Sequence, residues 1–232
     1  MREEKYLYLY EDERVKFAFT KREVDGKNIE DIKKVLSKYS FNVDKLSYAK
    51  QVHGSKVELV NSNIINFSTE CDALITDKVN TPLLIFTADC LPLIFYDKTK
   101  KVVALAHAGW RGTYDKIASQ VVSKMKNIYT SSEKDIQVFL APHISINNYQ
   151  VSLELIEKFS KFNIKNYYKR IENSYFLDLE TINKYFLIKA GILEKNISSS
   201  GFCTVADNDK FLSYRKDKGT EKRIATVIEL KK

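Results

Sequence analysis

The chain is poor in the residues that break or staple a backbone. Only seven glycines and three prolines occur among its 232 residues. Three cysteines, an odd number in a chain of this length, do not make a disulfide framework. That argues against a small secreted scaffold and for a reducing cytoplasm, with the thiols free or bound to a metal. No stretch is apolar enough to cross a bilayer. The best, Pro82 to Tyr96, is interrupted at Thr87, Ala88 and Asp89, whereas a span needs roughly 18–20 nearly continuous apolar residues. The start, Met1 to Tyr6, lacks the apolar centre of a signal peptide. Several familiar signatures are also missing: G-x-G-x-x-G, the Walker A lysine loop, G-x-S-x-G, H-E-x-x-H and paired C-x-x-C. Their absence removes the common nucleotide-fold, serine-hydrolase and zinc-finger readings.

What is present suffices for a core, since 44% of the residues are hydrophobic and 29% charged. There is no repeat, low-complexity tract or Pro/Gly/Ser linker, so residues 1–232 read as a single domain. The net charge of +8 comes from 38 basic and 30 acidic residues. Its lysines are scattered rather than blocked, which suits a solvated surface better than a nucleic-acid footprint. Strand patterns cover Tyr6–Tyr10, Val15–Phe19, Ala73–Thr76, Leu83–Phe86, Val102–Ala106, Ile136–Leu140 and Ile224–Leu230. Leu46–Val60 reads as a hairpin turning at His53-Gly54-Ser55. Helical spacing marks Ile29–Tyr39, Tyr114–Ile128, Leu153–Phe162 and Asp178–Ala190, the last with Asp178 as N-cap and Gly191 at its end. Strands and helices mix without strict alternation, so the expected class is α+β, with mixed β-sheets layered with α-helices.

The scarce residues gather in a few turns. All three histidines follow apolar strands, in Gln51-Val-His53-Gly54, Ala106-His107-Ala-Gly-Trp-Arg-Gly112 and Ala141-Pro-His143. Cys90 ends another, with Pro92 expected to interrupt the ladder. Three of the seven glycines and the sole tryptophan lie beside these side chains. His53, Cys90 and His107 are apt ligands for zinc or copper, and their wide spacing suits a site assembled from separate strand ends. Three protein ligands leave a position for water or substrate, as in catalytic sites. The same residues also fit a cysteine hydrolase, with Cys90 as nucleophile and His107 as base. The loop Gly109–Thr113 opens a helix, so Arg111 and a capping Thr113 are candidates for holding phosphate or another anion. His143 is expected in the same pocket, as an acid/base or substrate-facing group outside the metal sphere. Basic and aromatic residues interleave from Glu157 to Glu172, a pattern that can bind single strands. At helical spacing its aromatics are expected in the core, and no nucleic-acid partner is expected.

The segments Gln51-Val-His-Gly54, Asp72-Ala-Leu-Ile-Thr-Asp77, Thr87-Ala-Asp-Cys-Leu-Pro92 and Ala106-His-Ala-Gly-Trp-Arg-Gly-Thr113 resemble the laccase-domain proteins. These were first described as multicopper polyphenol oxidases and later as purine nucleoside phosphorylases with added adenosine deaminase activity. Leu177-Asp-Leu179, Gly201-Phe-Cys-Thr204, Ser213-Tyr-Arg-Lys-Asp217 and the final strand match in order. The resemblance implies that His53, Cys90 and His107 bind the metal, and that Arg22, in Phe19-Thr-Lys-Arg22, is an active-site residue. It implies phosphorolysis of adenosine or inosine, extending to methylthioadenosine, by a zinc or copper enzyme, monomeric or homodimeric. Two other readings use the same family features: a hydrolase acting on peptidoglycan precursors and a laccase-like copper oxidoreductase. Three histidines supply too few imidazoles for a multicopper cluster. The chain departs from the family at Glu23-Val-Asp-Gly26, in a shortened loop after it, and at Ala141-Pro-His-Ile144, where relatives commonly carry cysteine.

Overall fold

A computed structural model describes residues 1–61 and 63–232. In chain order the elements are β1 (Arg2–Glu3), β2 (Leu7–Glu11), β3 (Val15–Thr20), α1 (Ile29–Ser37), β4 (Ser47–Tyr48), β5 (Val57–Leu59), β6 (Ala73–Thr76), β7 (Leu83–Thr87), β8 (Leu91–Asp97) and β9 (Val102–Ala108). They continue with α2 (Trp110–Tyr114), α3 (Ile117–Tyr129), β10 (Ile136–Leu140), β11 (Gln150–Val151), α4 (Leu153–Ser160), β12 (Tyr168–Ile171), β13 (Ser174–Leu177), α5 (Leu179–Lys189), β14 (Ile197–Ser199) and β15 (Ile224–Leu230).

Two six-stranded sheets form the frame, in the orders β1-β2-β3-β15-β7-β4 and β14-β10-β8-β9-β6-β5. Alternating side chains let each sheet bury both faces. Between the sheets, Phe17, Phe19, Ile85 and Ile228 pack against Leu74, Ile94, Val103 and Leu105. The outer face of the first sheet is covered by Ile32, Val35 and Leu36 of α1. The outer face of the second meets Ile117, Val121 and Met125 of α3 and Ile182 and Phe186 of α5. The α+β class and its layered mixed sheets are as expected from the sequence. The segment read as basic and aromatic begins in α4 and ends in β12, an edge strand of a separate ribbon, β11-β13-β12. There Phe159 and Tyr167 face the core while Tyr168 stays 40% exposed.

Three local readings need correction. Residues Leu46–Val60 do not form a hairpin: β4 pairs with β7 in the first sheet and β5 with β6 in the second, both in parallel. The intervening turn therefore bridges the sheets. The helix expected from Tyr114 to Ile128 is two helices, because Lys116 takes a left-handed conformation at φ 58°. Its apolar stripe ends at Met125, with Ile128 46% exposed. Pro92 does not interrupt its ladder. It is the second residue of β8, opposite His107 of β9, and its carbonyl accepts from Ala141 N–H at 3.1 Å. Proline lacks only a donor, so a position near the strand's start tolerates it.

One charged pair is buried in the first sheet. Lys16 of β3 lies directly across from Glu229 of β15, and Nζ meets the carboxylate at 3.0 Å with both side chains nearly inaccessible. Asn42 N–H donates to the other carboxylate oxygen at 2.8 Å, and Nζ lies 4.6 Å from the Phe41 ring centroid. Removing one partner strands the other charge in a low dielectric. Glu229→Leu is expected to lower unfolding stability by about 3–5 kcal/mol in urea titration, and adding Lys16→Met to that variant recovers most of the loss. Equal stability of both variants would refute the pairing.

Candidate metal centre

The rim between the sheets is built around Asp72, the residue just before β6. Its carboxylate accepts from the backbone N–H groups of Val52, His53 and Gly54 at 3.2, 2.9 and 2.7 Å. The same carboxylate meets His107 Nδ1 at 2.8 Å, and the Asp72 carbonyl accepts from His107 N–H. One side chain thus folds the turn that crosses between the sheets and fixes the imidazole at the end of β9. His53 itself sits at φ 59°, a left-handed conformation that a β-carbon normally disfavours. Three amides converging on one carboxylate hold it there.

Cys90 reaches the same point from the turn between β7 and β8. The preceding Asp89 also has positive φ, 89°. Its carboxylate faces away from strand pairing and accepts from Thr204 Oγ1 at 2.6 Å and Arg215 N–H at 2.7 Å. Asp89 therefore anchors the C-terminal loops to the Cys90 turn. Ligand atoms of His53, Cys90 and His107 all lie within 4.8 Å of one another, and the two imidazoles meet edge-on at 4.7 Å. Two glycines are required by close approach. A β-carbon at Gly109 would stand 3.0 Å from Cys90 Sγ, and one at Gly112 only 2.7 Å from the Gly54 carbonyl.

Electrostatics follow from this crowding. Burial pushes the Cys90 thiol up, but His107 and His53 outweigh it and hold the thiol well below its ordinary range. Burial pushes the His107 imidazole down, and the Cys90 thiolate and Asp72 carboxylate reverse that. Asp72 is raised by burial and lowered more by His107 and the Gly54 and Val52 amides, so it stays ionised. With Nδ1 held by Asp72, His107 turns Nε2 toward the cluster, the arrangement in which a carboxylate orients a metal-ligating histidine. A thiolate and imidazoles converging at this distance suit a borderline-soft cation. The cluster lines a cavity of about 800 Å³, together with Asp89, Tyr149 and Arg215.

The other expected site residues fall elsewhere. Thr113 does not cap its helix. Gly109 holds the N-cap position, and Thr113 is fully buried, accepting from Asn183 Nδ2 at 2.9 Å. Arg22 donates to the carbonyls of Asn208 and Phe211 and pairs with Asp217 at 3.4 Å. It braces the 208–217 loop and is not part of the cavity lining. His143 is also outside that lining: its Nδ1 meets the Ala141 carbonyl at 2.9 Å and its Nε2 lies 3.5 Å from Glu180. Arg111 is exposed and likewise outside the lining, its guanidinium 4.5 Å from the Trp110 ring centroid. Sequence reasoning assigned no role to Asp72, Gln51 or Arg215. Asp72 stood within a recognised motif, but only the fold shows a carboxylate shared between two separate turns.

The fold and this cluster define an α+β protein whose two sheets bring a His-Cys-His group able to hold a metal ion to the wall of a cavity. The family described as multi-copper polyphenol oxidoreductase laccase matches residues 17–231, and the chain belongs to it. A purine nucleoside phosphorylase of Clostridium acetobutylicum is 36% identical over 194 residues, 81% of this chain and 78% of that one. The purine nucleoside phosphorylase YlmD of Bacillus subtilis is 30% identical, covering 82% of this chain and 73% of its own. A protein named adenosine deaminase RL5, from an unknown prokaryote, is 27% identical over 86% of this chain and 87% of its own length. In structure, Bacillus licheniformis YfiH superposes with a TM-score of 0.86 at 27% identity, over 94% of this chain and 93% of that one.

Two outcomes test the site. Asp72→Asn is expected to weaken metal binding by roughly 10–100-fold in competition with a chromogenic chelator; unchanged affinity would show that His107 needs no orienting carboxylate. Burial pushes His143 below its ordinary 6.5, against the opposing pull of the Ala141 carbonyl and Glu180. The unfolded chain therefore protonates this histidine first, and stability falls as pH drops through 6.5. Glu180, held below 4.5 chiefly by Lys184 and His143 against the raising effect of burial, adds its own loss only at lower pH. His143→Gln should flatten the decline just below 6.5 in urea titrations run at several pH values, and an unaltered profile would contradict the assignment.

Proposed function

We propose that the chain is a metal-dependent purine nucleoside phosphorylase, acting on adenosine and inosine and extending to methylthioadenosine, with adenosine deamination as a side activity. The observation that carries this reading is the His53–Cys90–His107 cluster, backed by Asp72, at the wall of a cavity large enough for a nucleoside and phosphate. The names of the relatives point the same way. Residues 1–232 act as one unit, and three free thiols suit a reducing cytoplasm.

Zinc suits the donor set: one thiolate and two imidazoles, one of them oriented by a carboxylate, with a coordination position left open. A bound zinc ion supplies Lewis acidity at the reacting oxygen. The chain's residues do the rest. Phosphorolysis forms a bond from a phosphate oxygen to the ribose anomeric carbon and breaks that carbon's bond to the purine nitrogen. The base leaves with the electron pair and takes a proton. Arg111 and Arg215 have no carboxylate partner among the described residues; Arg215 lies 5.7 Å from the Tyr149 ring centroid, and the Arg111 charge acts on the same phenol. They are free to hold phosphate in line. Burial pushes the Tyr149 phenol up, so it stays protonated and can donate a hydrogen bond. A copper oxidoreductase would need further imidazoles, and among the described residues this is the one such cluster found.

Cys90→Ser should lose bound metal, read by elemental analysis, together with phosphorolysis of inosine, because a neutral hydroxyl is a poor ligand. Full turnover by metal-stripped protein, abolished by alkylating Cys90, would instead support the cysteine-hydrolase reading, with Cys90 as a metal-independent nucleophile. Arg111→Ala should raise KM for phosphate about 10–150-fold, from the ~1.5–3 kcal/mol of a charge-assisted contact, with little change for inosine. An unchanged phosphate dependence would remove Arg111 from that role.

A further inference from the structure

The cavity has an aromatic wall that the reaction scheme above does not use. Phe67 lies in the loop between β5 and β6 and is 42% exposed, although it lines the same cavity as His53, Cys90 and His107. Its ring stands 5.7 Å from Phe86, at 30° between planes, and Tyr48 braces it edge-on at 4.7 Å. Phe86, near the end of β7, is almost fully buried. One side of Phe67 is therefore packed and the other left open to the cavity.

The wall is held rigid from behind. Gln51 Nε2 donates to the Phe86 carbonyl at 2.8 Å, and Gln51 Oε1 accepts from Phe86 N–H at 2.7 Å. This side-chain amide continues along β7 the pairing that β4 begins. It also ties Phe86 to His53, two residues further along the chain. Because its oxygen and one of its N–H groups are engaged, Gln51 has little left to read a ligand's polar edge. Lys50 is likewise engaged, with Glu70 at 2.7 Å. What the wall offers a ligand is therefore mainly a flat apolar face next to the metal cluster.

We propose that Phe67, backed by Phe86 and Tyr48, is the subsite on which the purine base stacks. The assignment rests on the phosphorylase reading for the rest of its substrate, but not for the base itself. Stacking on an aromatic ring tolerates any base with a π-face, and its loss on substitution by alanine corresponds to about 5- to 150-fold in affinity. Phe67 is partly exposed and packs on one side only, so its removal is expected to leave the fold intact.

The test is calorimetric titration of zinc-loaded protein, without phosphate, with inosine, hypoxanthine and ribose 1-phosphate in turn. Phe67→Ala should weaken inosine and hypoxanthine by about 5- to 150-fold while leaving ribose 1-phosphate unchanged. Phe67→Trp should retain both purine affinities, and thermal melting should match for all three proteins. Unchanged inosine affinity in Phe67→Ala, an equal loss for ribose 1-phosphate, or no binding of either purine ligand by the unsubstituted protein would overturn the subsite. Phe67-dependent hypoxanthine binding in a protein that fails to phosphorolyse inosine would overturn the phosphorylase reading and leave the base subsite standing.

Discussion

The site depends on one carboxylate. Asp72 accepts three backbone N–H groups from the His53 turn and meets the His107 imidazole. Without it, three amides and a buried histidine lose their partner together, and unmade hydrogen bonds of this kind cost about 1–3 kcal/mol each. The turn it holds is a strained one, since His53 sits at positive φ. Local strain persists only where the surroundings over-determine it. Here the surroundings are a side chain fixed at the start of a fully buried strand, so the positions of two ligands are inherited from the position of one sheet.

The third ligand depends on the other sheet. Cys90 lies where β7 of the first sheet passes into β8 of the second, through an Asp89 of positive φ. The His53 turn makes the same kind of crossing, from β4 of the first sheet to β5 of the second. Both crossings lie on the same rim, which is why residues 37 positions apart in the chain share one cavity. The interface between the sheets is filled by large apolar side chains, and such a core resists sliding. Fixing the two sheets against each other therefore fixes the distance between the ligands. Asp89 extends the same frame to the C-terminal loops through Thr204 and Arg215.

Much of this was legible in the sequence, for identifiable reasons. The closing strand Ile224–Leu230 has the predicted bounds, and Asp178 caps its helix as expected, accepting from Thr181 N–H. Both rest on local patterns. Scarcity exposed the site: histidine, glycine and tryptophan cluster where the strands end. The failures are of another kind. The supposed hairpin at Leu46–Val60 has two short strands and a turn, and nothing local says that its strands join different sheets. The break at Lys116 has no glycine to mark it. Arg22 and His143 carried the right chemistry, but long-range partners at Asp217 and Glu180 claim their side chains. Asp72 was hidden for the same reason, since its partners come from two separate turns.

The charge of the cluster constrains what surrounds it. The Cys90 thiolate and the Asp72 carboxylate carry two negative charges, which match one divalent cation. A loaded centre of this composition offers little net attraction to an anion at the distances where phosphate is captured, and ordinary salt screens what remains within roughly 10 Å. Attraction must then come from cations outside the cluster that no carboxylate neutralises. Arg111 and Arg215 meet that condition, one against Trp110 and the other over Tyr149. Each is held by an aromatic face or a backbone carbonyl rather than by an acid. A carboxylate partner would fix an arginine equally well but would cancel the charge that draws phosphate. The protein's excess of basic residues adds a favourable long-range field of the same sign. On the phosphorylase reading proposed above, neutral cluster and unneutralised arginines would divide the work, the first orienting the reacting groups and the second gathering the anion.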